Sequence, residues 1–112
     1  MNKYSLATST WDNRELEAIQ SVIDRDSFTM GNSVKKFEED FCNFIGSKYA
    51  VMVSSGSAAN LIATAATFYT KNPMLKRGNE VIVPAVSWST TYFPLQQYGL
   101  KLKFVDIDLD TL

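Results

Sequence analysis

The chain has 112 residues, 11 of them basic and 12 acidic, with no histidine, a net charge of −1 and 46% hydrophobic content. This near-neutral balance, with no run of more than two basic residues, argues against nucleic acid or an anionic membrane surface as partner. No apolar run approaches the ~20 residues of a membrane span. Without histidine and with Cys42 as the one cysteine, the chain can build no Ser-His-Asp triad, no Cys/His metal set and no internal disulfide.

The length fits one small domain or a part of a larger one. Met1 to Leu6 lacks an apolar h-region, so no secretory leader is expected, and the lone thiol suits a reducing cytoplasm. Cys42 falls on an expected helix without basic neighbours at helical spacing, which marks it as structural rather than nucleophilic.

Residues 1–11 read as an extended lead-in. Asp12 followed by Glu15 forms a capping-box pattern, and Leu16, Ile19, Val22 and Ile23 predict a helix to about Arg25. The segment Asp26 to Ser33 breaks that pattern. In it, Gly31 and Asn32 can take positive φ, Ser33 can cap the next helix, and Phe28 and Met30 either staple the loop or touch a substrate. Val34, Phe37, Phe41, Phe44 and Ile45 then line one face of a second helix, closed by Gly46.

Tyr49 to Val53 is short and apolar on both faces, which predicts a buried strand of a parallel sheet. It gives way through Ser54-Ser55-Gly56-Ser57 to a helix from about Ala58 to Thr70, expected to pack on the sheet. A helix start leaves backbone N–H groups without intrahelical partners, and with serine hydroxyls these donors suit a phosphate. Ordinary helix capping by serine explains the same residues. Val81-Ile82-Val83 predicts a second strand, stopped by Pro84, and Ser87 to Tyr92 a second hydroxyl-rich turn into a helix that Pro94 should bend. Leu100 to Asp108 predicts a third strand. Strand–helix alternation implies a parallel sheet, whose ligands bind beyond the carboxyl ends of the strands, where both turns lie. Trp88 in the second turn either stacks on a planar ring or fills the core. Such a small sheet has two open edges, so the chain reads as the front part of a larger domain.

Together, Phe28-Thr29-Met30-Gly31 with Val34-Lys35-Lys36-Phe37-Glu38, then Ser54 to Asn60, then Val81 to Pro84 with Trp88 to Thr91, then Phe104 to Asp108, resemble the DegT-like family of nucleotide-sugar aminotransferases and dehydratases. The resemblance implies the pyridoxal-phosphate-dependent aspartate aminotransferase fold (fold type I), an α/β large domain with a mostly parallel sheet and flanking helices. Residues 1–33 would form an extended segment, helix and substrate loop, and 34–112 an incomplete cofactor-binding large domain. Val86 to Tyr92 and Tyr98-Gly99-Leu100 are most similar to the branch of sugar 3-dehydratases that use pyridoxamine 5'-phosphate.

By that resemblance Gly56 and Ser57 hold the cofactor phosphate and Trp88 stacks on its pyridine ring. Asp26, Ser27, Phe28 and Thr29 contact the nucleotide sugar, glutamate serves as amino donor, and the full-length protein is a homodimer. Ser57 stands where threonine is usual, and Asn32 where many relatives have proline. The acid and base of the family's chemistry lie downstream of the matched region, so no catalytic residue is expected here and the chain alone should be silent. A 4-aminotransferase remains an alternative, as does a non-catalytic module that binds a phosphate ligand or a partner chain.

Overall fold

The computed structural model describes residues 7–111. They fall into two compact units, one ending at Met52 and the other beginning at Val53. The expected lead-in lies outside the described residues up to residue 6, and residues 7–11 carry no regular structure.

The first unit holds α1 (Asn13–Asp24) and α2 (Asn32–Ile45). Helix α1 starts on the capping box that the sequence predicts. The Arg14 N–H donates to Asp12 Oδ1 at 2.8 Å, while the Asp12 N–H donates to Glu15 Oε2 at 2.7 Å. Two donors that the first turn would otherwise leave open are thereby satisfied. Helix α2 ends at Gly46, whose φ of 71° is the left-handed conformation a helix-terminating glycine supplies without strain.

The loop between them departs from expectation. Asp26, not Gly31 or Asn32, takes the positive φ, at 49°. Gly31 is the extended N-cap of α2, and Ser33 lies inside the helix rather than capping it. A side chain at Gly31 would meet Ser27 Oγ at 3.3 Å, so close approach rather than φ explains this glycine.

Tyr49 to Val53 is not a strand of a described sheet. A strand persists where a neighbour satisfies its backbone. Here the Met52 N–H donates to Glu38 Oε1 at 2.8 Å, and the Tyr49 carbonyl accepts from Ser47 Oγ at 3.1 Å.

The second unit contains α3 (Gly56–Tyr69), β1 (Glu80–Pro84), α4 (Ser89–Gln97) and β2 (Lys101–Val105). Strands β1 and β2 pair in parallel, Val81 opposite Leu102 and Val83 opposite Phe104. The sheet among the described residues is therefore two-stranded rather than three-stranded. The ladder runs on at both ends: the Lys101 N–H donates to the Asn79 carbonyl at 2.8 Å, and the Ala85 N–H to that of Val105 at 2.7 Å. Strand β1 ends at Pro84, yet the missing N–H does not close the ladder, which the Ala85 N–H carries one step further; the Pro84 carbonyl accepts the Tyr92 hydroxyl at 2.7 Å. Strand β2 stops at Val105, short of Asp108. Beyond it Asp106 takes the Ile107 N–H, and Asp108 takes those of Asp110 and Thr111, so local carboxylates replace the ladder.

Helix α4 covers β2, with the Tyr92 and Phe104 rings edge-to-face at 5.4 Å. The main neighbour of α3 is α4 rather than the sheet, and Phe68 meets Tyr98 at 5.2 Å. Alanine spacing fits close packing on either surface, which is why the sequence did not distinguish them. Val83 and Leu100, 3% and 5% exposed, form the centre of this small core. Much apolar surface remains open, Phe44 of α2 being 87% exposed. No helix among the described residues is long and apolar enough to cross a membrane.

The α1 cap predicts an acid response. The Asp12 carboxyl is held below its ordinary value of 3.8, first by side-chain hydrogen bonds from Arg14 and then by the Arg14 backbone N–H. A lowered folded-state value means that this contribution is complete above the ordinary carboxyl range and is lost as pH falls through the lowered value. Far-UV circular dichroism of the Asp12→Asn variant, which keeps a capping side chain, should show less loss of helix on acidification than the parent.

Candidate functional site

The turn before α3 is built by a cap and by what the cap leaves open. Ser55 is the N-cap: its hydroxyl accepts the Ala58 N–H at 3.2 Å, and its carbonyl accepts that of Ala59 at 3.0 Å. The capping role foreseen for these serines is therefore real, and it belongs to Ser55. Gly56 and Ser57 are the first two residues of the helix, positions whose N–H groups have no intrahelical acceptor in any α-helix. No acidic residue sits in the first turn to compete for them. A Cβ at Gly56 would meet nothing within 4 Å, so the backbone faces open space there. Two backbone donors and the Ser57 hydroxyl at the positive end of a fourteen-residue helix suit a phosphate in charge and hydrogen-bonding sense.

The second turn is organised by its own hydroxyls. Ser87 Oγ and Thr91 Oγ1 lie 2.8 Å apart, and the Thr91 N–H donates to the Trp88 carbonyl at 2.9 Å. Trp88 is the N-cap of α4 and 76% exposed, so no described residue covers its ring, which an aromatic or planar partner could meet. A cavity of about 240 Å³ brings the turns together, lined by Ser57, Leu61, Thr90, Phe93 and Pro94 among others. Gly56 and Trp88 are not in its lining.

Two polar contacts escaped the sequence reading. The first joins α3 to α4: Asn60 Nδ2 donates to the Thr90 carbonyl at 3.3 Å. The signal for it was present, because a proline at position 94 deprives the carbonyl four residues earlier of its helical donor. The second is in the first unit, where Arg25 Nη2 donates to Ser33 Oγ at 3.3 Å. Ser27, Phe28 and Thr29 line a cavity of about 540 Å³ there, with Arg25 at its wall. Asp26 is not in the lining; it makes the turn, its N–H donating to the Ile23 carbonyl at 3.0 Å. Phe28 and Met30 are both exposed, so neither staples the loop to α2. The expected substrate residues thus lie in one unit, and the expected cofactor residues in the other.

A serine-capped helix start ahead of a βαβ crossover is what the geometry provides, and comparison defines the family. Residues 9–112 match the DegT/DnrJ/EryC1/StrS aminotransferase family model, and the chain belongs to that family. It is 67% identical over all 112 residues to GDP-4-keto-6-deoxy-D-mannose 3-dehydratase of Yersinia pseudotuberculosis, and 66% identical to that of Escherichia coli O55:H7. It spans only 28% and 29% of those proteins. The solved E. coli GDP-4-keto-6-deoxy-D-mannose-3-dehydratase with bound hydrated PLP superposes with a TM-score of 0.91, covering 100% of this chain and 29% of that one at 66% identity. A 3-dehydratase structure with a trapped PLP-glutamate geminal diamine gives 0.88 at 67% identity, covering 95% and 28% of the two chains. An aminotransferase from Psychrobacter cryohalolentis, 24% identical with a TM-score of 0.75 over 88% of this chain and 24% of that one, shares the fold.

Separate variants isolate the cap from the open donors. Ser55→Ala should lower stability by about 1 kcal/mol, as loss of an N-cap does, read by urea unfolding. Gly56→Ala should leave stability within about 1 kcal/mol of the parent or raise it, since the added methyl meets nothing and alanine favours the helix.

Proposed function

We propose that this chain is the N-terminal, cofactor-phosphate part of a GDP-4-keto-6-deoxy-D-mannose 3-dehydratase. The observation that carries the reading is the 67% identity over all 112 residues to a protein of that activity. The open Gly56 and Ser57 donors add a physical reason for the cofactor. Residues 1–33 would serve as lead-in, helix and substrate loop, and 34–112 as the incomplete cofactor-binding domain.

The Gly56 and Ser57 N–H groups and the Ser57 hydroxyl would donate to the phosphate of pyridoxal or pyridoxamine 5'-phosphate, with the dipole of α3 favouring its charge. Trp88 would lie against the pyridine ring and fix its plane. Bound there, the pyridoxamine form would supply the amine and the electron sink that removal of a sugar 3-hydroxyl requires, and glutamate would be the amino donor. Asp26, Ser27, Phe28 and Thr29 would contact the nucleotide sugar, as residues of the neighbouring subunit in a homodimer. The chain's own residues then bind and orient; the proton-transferring base is not among them, since the sequence holds no histidine and the family's base lies downstream. The family likeness supports a cytoplasmic setting and a role in deoxysugar synthesis for lipopolysaccharide.

A chimera tests the reading, with this chain replacing the matching segment of the Yersinia relative. Supplied with pyridoxal 5'-phosphate and glutamate, it should form the 3-deoxy-4-keto product from GDP-4-keto-6-deoxymannose at a rate within about tenfold of the relative. A folded chimera that binds cofactor but yields only a 4-amino sugar, or no product, refutes the assignment. Ser57→Asp in the same protein should weaken pyridoxamine phosphate binding by at least about tenfold, because a carboxylate would then face the phosphate. Equal affinity in an absorbance titration would remove the turn from the site.

A further inference from the structure

Pro94 creates a specific problem inside α4. In a regular helix the Thr90 carbonyl accepts the N–H of residue 94, and proline has none; its ring also crowds that carbonyl. Pro94 is nevertheless buried within the helix. Asn60 is exposed and Thr90 half-buried, so water can reach this carbonyl, and a side-chain donor fixed on a neighbouring helix replaces that water with a link between helices. The partner here comes from the neighbouring helix, as Asn60 Nδ2 donates to the Thr90 carbonyl at 3.3 Å.

The position of this contact gives it consequence. Asn60 lies three residues after Ser57 on α3, so the two share a helix face. Thr90 lies two residues after Trp88, in the first turn of α4. Thr90, Pro94 and Ser57 also line the same 240 Å³ cavity. We infer that Asn60 is a positioning residue: its amide replaces the donor that Pro94 lacks, and so sets the offset between the phosphate turn of α3 and the Trp88 turn of α4. The consequence for cofactor binding rests on the function proposed above; the linkage between Asn60 and Pro94 does not.

An asparagine that only filled space would be indifferent to what residue 94 is. Pro94→Ala returns an N–H to α4 and makes the Asn60 donor dispensable. The full-length protein carrying Asn60→Ala, Asn60→Asp, Pro94→Ala or Asn60→Ala with Pro94→Ala is titrated with pyridoxal 5'-phosphate and followed through thermal unfolding. Asn60→Asp keeps the shape but sets a carboxylate against a carbonyl oxygen. It and Asn60→Ala should each weaken cofactor affinity about tenfold, or 1.4 kcal/mol. The double variant should return to within about threefold of the parent, and its melting temperature should exceed that of Asn60→Ala alone. Unchanged affinity in Asn60→Asp, or losses in the two single variants that simply multiply, overturns the inference. If the parent itself binds no pyridoxal phosphate, the proposed function fails. The unfolding cycle then decides the linkage alone: rescue by Pro94→Ala supports it, and additivity overturns it.

Discussion

Two strands that run the same way cannot be joined by a tight turn; the chain must leave the sheet and come back across it. That constraint organises the second unit. Once β1 and β2 pair in parallel, α4 must be the return path, and its first turn must fall beyond the carboxyl end of β1. Trp88, Ser87 and Thr91 therefore stand beyond the carboxyl end of β1, where open parallel sheets commonly take ligands, through topology and before any side-chain preference acts. Tyr92 secures the arrangement at both levels, its hydroxyl on the Pro84 carbonyl and its ring against Phe104.

What could be read from the sequence follows the range of the interactions involved. The α1 capping box, the Gly46 terminus, the Ser55 cap and the end of β1 at Pro84 each depend on residues within four positions of one another. Their signals are complete in a short window. The status of Tyr49 to Val53 is different. An apolar run states that a segment suits a sheet, whereas a strand exists only where another strand supplies its hydrogen bonds, and here Glu38 takes the Met52 N–H instead. The packing of α3 on α4 is ambiguous for the same reason, since small residues suit both surfaces. The Asn60–Thr90 contact spans thirty residues, and only the misfit of Pro94 within its helix hinted that a donor was needed.

The candidate site shows how one turn divides its labour. Ser55 is spent on the helix, while Gly56 and Ser57, held by that cap, keep their donors free for an outside group. Capping and anion binding compete as readings of the motif only if a single serine must do both. Adjacent residues remove the conflict, because the cap orders the backbone whose next two N–H groups have no intrahelical acceptor. The family match and the two 3-dehydratase likenesses then give that donor pair a chemical context.

The face of the β1–β2 pair that carries Ile82 mixes charge with apolar surface. On β1 the exposed Ile82 shares a face with Glu80 and stands opposite Lys103. Around it the sequence sets Lys101, Lys103 and Glu80, and Lys103 Nζ lies 3.3 Å from Glu80 Oε1. As an ion pair this contact is exposed and adds little to stability. Its place matters more, because a one-residue slip of β1 would carry Glu80 and Ile82 to the opposite face and set Val81 and Val83 among the lysines. The charges on that face thus distinguish one register of the pair from its neighbours, a task separate from anything done at the two turns.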